Sequence, residues 1–169
     1  MRLFHLLLFI LYISSSSCES RSGKREGAES HQAVEDGFLT VTKVIDGDTF
    51  WVNNGSQKGL KVRLIGVDAP ESRKVFRKKV GFYGKEAKMY LINLLQNKRV
   101  KLVSDVDSLD RYGRTLSYVY LEDGTFINAE LVKNGYAMVM TIPPNVRFVE
   151  EFVTLQQEAR ENNRGLWGE

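Results

Sequence analysis

Three carboxylates and two arginines, spread over three short segments, are the residues of this chain whose types and spacing suit chemistry. They occur in Val44-Ile45-Asp46-Gly47-Asp48-Thr49, in Arg63-Leu64-Ile65-Gly66-Val67-Asp68-Ala69-Pro70-Glu71, and in Asp110-Arg111-Tyr112-Gly113-Arg114. Asp48, Asp68 and Glu71 can hold a hard cation and position a water. Arg63 and Arg114 can neutralise a phosphate whose charge grows during attack. Acids and arginines are common, so no segment decides alone. Together, in this order and with apolar flanks, they read as a site for phosphodiester chemistry.

Each residue also has a plainer reading. Asp-Gly-Asp-Thr is good turn chemistry, which accounts for Asp46. It accounts less well for Asp48, because a second acid beside the first adds repulsion unless a cation is near. Asp68 ends an otherwise apolar strand directly before Ala69-Pro70. Pro70 restricts where Glu71 can point, which suits a base, although a loop glutamate is by default solvated. Two arginines near three acids also fit a simple ion-pair network. The run Arg73-Lys74-Val75-Phe76-Arg77-Lys78-Lys79 contains no acid and one aromatic, so it suits phosphate contacts next to the site. Lys98, Arg99 and Lys101 suit the solvent face of a helix end and a strand.

Composition narrows the chemistry further. The chain has 169 residues, 43% hydrophobic and 27% charged, enough for one domain with a core and some terminal extension. A net charge of +3 is too small for a whole-protein field to select an anionic partner, so local clusters must do so. One cysteine, Cys18, excludes an internal disulfide framework and a cysteine-rich zinc site. The two histidines, His5 and His31, both precede the folded region. The reaction must therefore run on carboxylates, arginines, tyrosines and an oxygen-preferring metal.

Residues 1–17 read as an export signal, with Arg2 ahead of the apolar run 6–13 and the serines 14–17. That run is far shorter than the ~20 apolar residues a spanning helix needs. Cys18 after the small residues resembles a lipoprotein attachment site, with Ser15 where that pattern usually has leucine. Cleavage among the serines would instead leave a free terminus. Residues 18–36 are polar and read as a flexible tether, with the domain at 37–169.

Within the domain, 38–45, 49–53 and 60–65 read as strands, with Asn53-Asn54-Gly55 as a turn. A helix follows at 83–97, with Ala87, Leu91, Leu94 and Leu95 on one face. Strands at 100–104 and 116–121 come next, then a short helix at 127–134 closed by Gly135. After 136–140 and the Pro143-Pro144 break, a last helix covers 147–161, burying Phe148, Phe152, Leu155 and Ala159. This β-β-β-α-β-β-α-α order predicts a β-barrel plus helices (α+β): a five-stranded antiparallel Greek-key barrel of the OB-fold type with about three helices.

From about Val41 onward the chain resembles the staphylococcal (thermo)nuclease family. The resemblance is carried by Ile45-Asp46-Gly47-Asp48-Thr49, Arg63 to Glu71, Tyr83-Gly84-Lys85-Glu86-Ala87, Asp110 to Arg114, Asn128-Ala129-Glu130-Leu131-Val132 with Gly135, and Gly165-Leu166-Trp167. It implies an OB-fold, and cleavage of DNA and RNA with Ca²⁺ that leaves 3′-phosphorylated ends. Position by position, it implies Asp48, Asp68 and the main-chain carbonyl of Ala69 as calcium ligands and Glu71 as general base. Arg63 and Arg114 become the phosphate-binding, transition-state-stabilising arginines, with Tyr112 and Arg111 as substrate contacts. The family's best-known member follows its last strand with tyrosines that pack on the nucleotide. Here Met138-Val139-Met140-Thr141-Ile142-Pro143 has none. The expected protein is an exported, secreted or envelope-anchored monomeric nuclease, with membrane anchoring through lipid on Cys18 left open. The competing expectations are a non-catalytic nucleic-acid or protein-binding module on the same barrel, and a surface lipoprotein serving adhesion.

Overall fold

The computed structural model describes residues 37–74 and 81–168. The expected signal at 1–17, the expected tether at 18–36 with Cys18, and residues 75–79 of the basic run lie outside the described residues.

Alternating apolar residues build the barrel. Its strands are β1 (Phe38–Asp46), β2 (Thr49–Asn53), β3 (Leu60–Leu64), β5 (Arg99–Val103) and β6 (Thr115–Leu121). They close in the order β1-β2-β3-β6-β5, the Greek-key order of an OB-fold. The inward residues Phe50, Val52, Val62, Leu64, Val100 and Val119 are fully or almost fully buried. Gly55 at the β2–β3 turn takes φ 83°, and Asn53 Oδ1 accepts its N–H at 2.8 Å. Three helices cover the barrel: α1 (Gly84–Leu95), α2 (Ile127–Lys133) and α3 (Val149–Glu161). Ala87, Leu91, Leu95, Ile127, Leu131, Phe152 and Ala159 form their buried faces. Leu94, Phe148 and Leu155 are half-buried against the same core.

Two features depart from the expected all-antiparallel barrel. β3 and β6 pair in parallel, Val62 beside Thr115, Arg63 beside Leu116 and Leu64 beside Ser117. Parallel neighbours need a long crossover, and here α1 and β5 supply it. Past Leu64 the chain turns at Gly66 and leaves the barrel as β4 (Val67–Asp68), which pairs with β7 (Met138–Val139) in a separate two-stranded ribbon.

Parallel pairing sets the geometry of the site. It places the start of β6, and Arg114 just before it, beside the middle of β3, where Arg63 lies. The β4–β7 ribbon in turn draws Asp68 and the loop after it toward the same rim.

Candidate active site

Five chain segments meet at that rim around a cleft of about 770 Å³. Asp48, Arg63, Asp68, Ala69, Glu71, Arg111, Tyr112 and Arg114, all singled out above, line it. The exposed residues Met140, Ile142 and Pro143 form the opposite wall, where tyrosines were absent from the sequence.

The β1–β2 junction brings in Asp48. Its carboxylate is buried and heavily used: Oδ1 accepts the Thr49 hydroxyl at 2.8 Å and Oδ2 the Ala69 N–H at 3.0 Å. Gly47 permits that approach, since a Cβ there would stand 2.6 Å from the Ala69 Cβ. Asp46 Oδ1 accepts the N–H groups of Gly47 and Ser72, both at 3.0 Å. This residue therefore ties the first turn to the loop carrying Glu71, besides closing its own turn.

Arg63 joins the two aspartates. Its guanidinium forms ion pairs with Asp48 Oδ2 and, at 2.7 Å, with Asp68 Oδ1. Asp48 and Asp68 thus lie on one small cation group, as a pair of ligands for one hard cation would. With every His and Cys of the chain outside the described residues, the available donors are oxygens: two carboxylates, the carbonyl of Ala69 and water. That set suits Ca²⁺ or another hard divalent ion rather than zinc. Among the described residues no three His, Cys, Asp or Glu side chains group as a ready-made metal cage.

Arg114 has its own anion. Asp110 Oδ2 accepts from Arg114 Nε at 2.6 Å, while Oδ1 accepts the N–H groups of Tyr112 and Arg114, both at 2.9 Å. Burial pushes the Asp110 carboxyl up, but the hydrogen bonds from Arg114 and Tyr112 outweigh it and hold the carboxyl below its ordinary value. Tyr112 stands 69% exposed, with Arg111 at 4.8 Å and Arg114 at 5.5 Å from its ring centroid. Asp110 has no role of its own in the sequence reading above. The signal was present in its spacing, since an Asp that precedes a Gly by three residues often closes a turn with its side chain.

A depressed carboxyl implies a pH-dependent contribution to stability. It is complete above the ordinary value of 3.8 and is lost as pH falls through the lower folded-state value. The difference in urea midpoint between the wild type and Asp110→Asn should therefore hold steady from neutral pH and shrink below about pH 4. A difference that grows on acidification would contradict this sign.

Second contacts fix the far wall. Asn145 is buried and clasps Asp107, its Oδ1 accepting the Asp107 N–H at 2.8 Å and its Nδ2 donating to the Asp107 carbonyl at 2.9 Å. The Tyr118 hydroxyl donates to Asp105 Oδ2 at 2.9 Å, and Arg147 pairs with the same carboxylate. Both clasps join the segment before Asp110 to the segment after β7.

Two arginines of like charge thus converge on one cleft, each neutralised by carboxylates, beside an all-oxygen donor set. An anion with developing charge is what such a rim accommodates. Comparison with known proteins agrees. A sequence model described as Staphylococcal nuclease homologue matches residues 61–169. The chain is 41% identical over 127 residues to a Thermonuclease of Staphylococcus intermedius, covering 75% of this chain and 74% of that one. It is 36% identical over 163 residues to a Thermonuclease of Staphylococcus hyicus, covering 96% and 94%. Endonuclease YncB of Bacillus subtilis is 34% identical over 131 residues, covering 76% and 61%. The chain belongs to the staphylococcal nuclease family and is a nuclease that hydrolyses phosphodiester bonds.

Proposed function

We propose that this nuclease is calcium-dependent, acts on both DNA and RNA, and is exported. The observation carrying the catalytic reading is the convergence of Arg63 and Arg114 on the cleft that Asp48, Asp68, Ala69 and Glu71 line. Asp48, Asp68 and the Ala69 carbonyl would hold Ca²⁺, which when bound supplies a Lewis acid for a phosphoryl oxygen.

The protein's own groups do the rest. Glu71, held by the proline before it, accepts a proton from the attacking water as its oxygen bonds to phosphorus. Arg63 and Arg114 receive the equatorial oxygens as charge builds on them, and their donors gain most in the transition state. Arg63 exchanges part of its contact with Asp48 and Asp68 for the phosphate. Arg114 keeps Asp110 on Nε and turns its remaining N–H groups to the substrate. Tyr112 and Arg111, on the exposed tip of the same loop, contact the nucleotide. Support for export is the apolar run at 6–13 behind Arg2. Low-affinity calcium sites, with Kd of about 10⁻⁴–10⁻³ M, serve outside cells.

The test is cleavage of single- and double-stranded DNA, and of RNA, by the full chain in calcium and then in chelator, with Glu71→Gln alongside. Activity should vanish in chelator and fall at least ~10²-fold in Glu71→Gln. Full activity in either condition sinks the mechanism. Failure to cut one nucleic acid while cutting the other would restrict the substrate.

A further inference from the structure

One aromatic group stands apart from the cleft lining and is not used by the mechanism. Phe82 is 70% exposed, directly ahead of α1. A lone exposed aromatic is ordinary and by itself means little. Phe82, however, heads a row of four rings. Its ring centroid lies 5.9 Å from that of Tyr83, Tyr83 stacks on Tyr136 at 5.5 Å, and Tyr136 stacks on Tyr90 at 3.9 Å. The Tyr83 and Tyr136 side chains are also hydrogen-bonded. Asn134 Nδ2 donates to the Tyr90 hydroxyl at 3.0 Å, so the inner end is fixed too.

The backbone is bent to make this row. Tyr83 caps α1 in the left-handed region, φ 64°, and offers no side-chain cap. Glycine or asparagine would adopt that conformation with less strain, and asparagine would also cap the helix. Strain at a half-buried tyrosine that braces an exposed ring is the kind kept for a site.

The row is coupled to the catalytic loop. Gly81 N–H donates to the Glu71 carbonyl at 2.9 Å, and a Cβ at Gly84 would stand 2.3 Å from that same oxygen. Phe82 lies between these two contacts in the chain, so its main chain runs beside that of Glu71. Arg73 and Lys74, both exposed, follow Glu71 in the same loop and suit the phosphates of a strand passing there.

We infer that Phe82, braced by Tyr83, Tyr136 and Tyr90, is a stacking platform for an unpaired base of the nucleic-acid strand just outside the linkage being cut. The inference rests on the nuclease reading of the cleft and extends its substrate site along the chain. The platform favours single-stranded or frayed segments, whose bases have free faces. It also offsets the missing tyrosines after β7, where Met140 and Ile142 present no ring.

The experiment compares wild type, Phe82→Ala and Phe82→Trp as full chains in calcium. Hydrolysis of an oligothymidylate of about twelve nucleotides is measured against hydrolysis of a single-nucleotide phosphodiester. Phe82→Ala should lower the ratio of kcat/KM on the long strand to kcat/KM on the short diester by about 5- to 150-fold, and Phe82→Trp should keep it. An unchanged ratio, whether both activities fall together or neither falls, overturns the platform. Anisotropy of the labelled oligothymidylate on Glu71→Gln, with and without Phe82→Ala, gives a readout independent of cleavage. Weaker binding in the double variant while no variant cuts DNA would retain the platform and overturn the catalytic mechanism. Equal binding would overturn the platform whatever the activity.

Discussion

Removing either arginine of the cleft should lower kcat by about 10²–10³-fold, the range measured when one pre-organised donor is lost from a developing oxyanion. Lysine at either position keeps the charge but loses the planar fork, so Arg63→Lys and Arg114→Lys should recover only part of the rate. The two arginines should then separate in a measurement that involves no substrate. Arg63 is mostly buried and pairs with both Asp48 and Asp68, whereas among the described residues Arg114 pairs with Asp110 alone. Arg63→Ala leaves a buried aspartate without a counter-charge, and breaking such a pair costs about 3 kcal/mol. Thermal or urea unfolding in chelator should show that loss, and about 10⁻³ M calcium should restore much of it, because the cation replaces the guanidinium between the aspartates. Arg114→Ala should show no calcium rescue. A chelated Arg63→Ala protein as stable as wild type would mean that the Asp48–Arg63–Asp68 group does not hold the loops together.

The same residues show why much of the site was legible in the sequence and part of the fold was not. Strand alternation and the Asn53-Asn54-Gly55 turn are local signals, and so are the motif residues of each loop. What joins them is not local. Arg63 and Arg114 are fifty-one positions apart, and their meeting depends on the parallel register of β3 with β6. No periodicity in either strand reports the direction of its partner. The β4–β7 ribbon is two residues long on each side, too short for any alternation to stand out. Asp110 was visible as part of a motif, yet its role depends on Arg114 folding back on it across a tight turn. The ring row escaped for a related reason. Tyr83 and Tyr90 lie on the helix pattern that buries Ala87 and Leu91, but Tyr136 reaches them from beyond α2. In sequence each is an isolated tyrosine.

Asn128→Ala should be among the most damaging substitutions outside the cleft, because a polar residue on the buried face of α2 ties β6 to the end of β3. Asn128 is 0% exposed. Its Oδ1 accepts the Val119 N–H at 3.0 Å, and its Nδ2 donates to the carbonyls of Ile65 at 2.9 Å and Ser117 at 3.4 Å. The β3–β6 ladder ends at Leu64 beside Ser117, just where β3 turns away toward β4. The asparagine amide therefore takes over the hydrogen bonding that the diverging strands give up. Alanine would leave the Val119 N–H and the Ile65 carbonyl buried without this partner, at about 1–3 kcal/mol each. The loss, about 2–6 kcal/mol, is a large share of a total stability of about 5–15 kcal/mol. Asn128→Asp should be no better, since its second oxygen would face the Ile65 carbonyl with no proton between them. Urea unfolding should show a lower midpoint with an unchanged slope. Calcium affinity should fall in parallel, well below the unfolding midpoint, because Ile65 sets the direction in which the chain leaves the barrel three residues before Asp68. A normal calcium affinity in a destabilised Asn128→Ala protein would show that the β4–β7 ribbon alone positions Asp68.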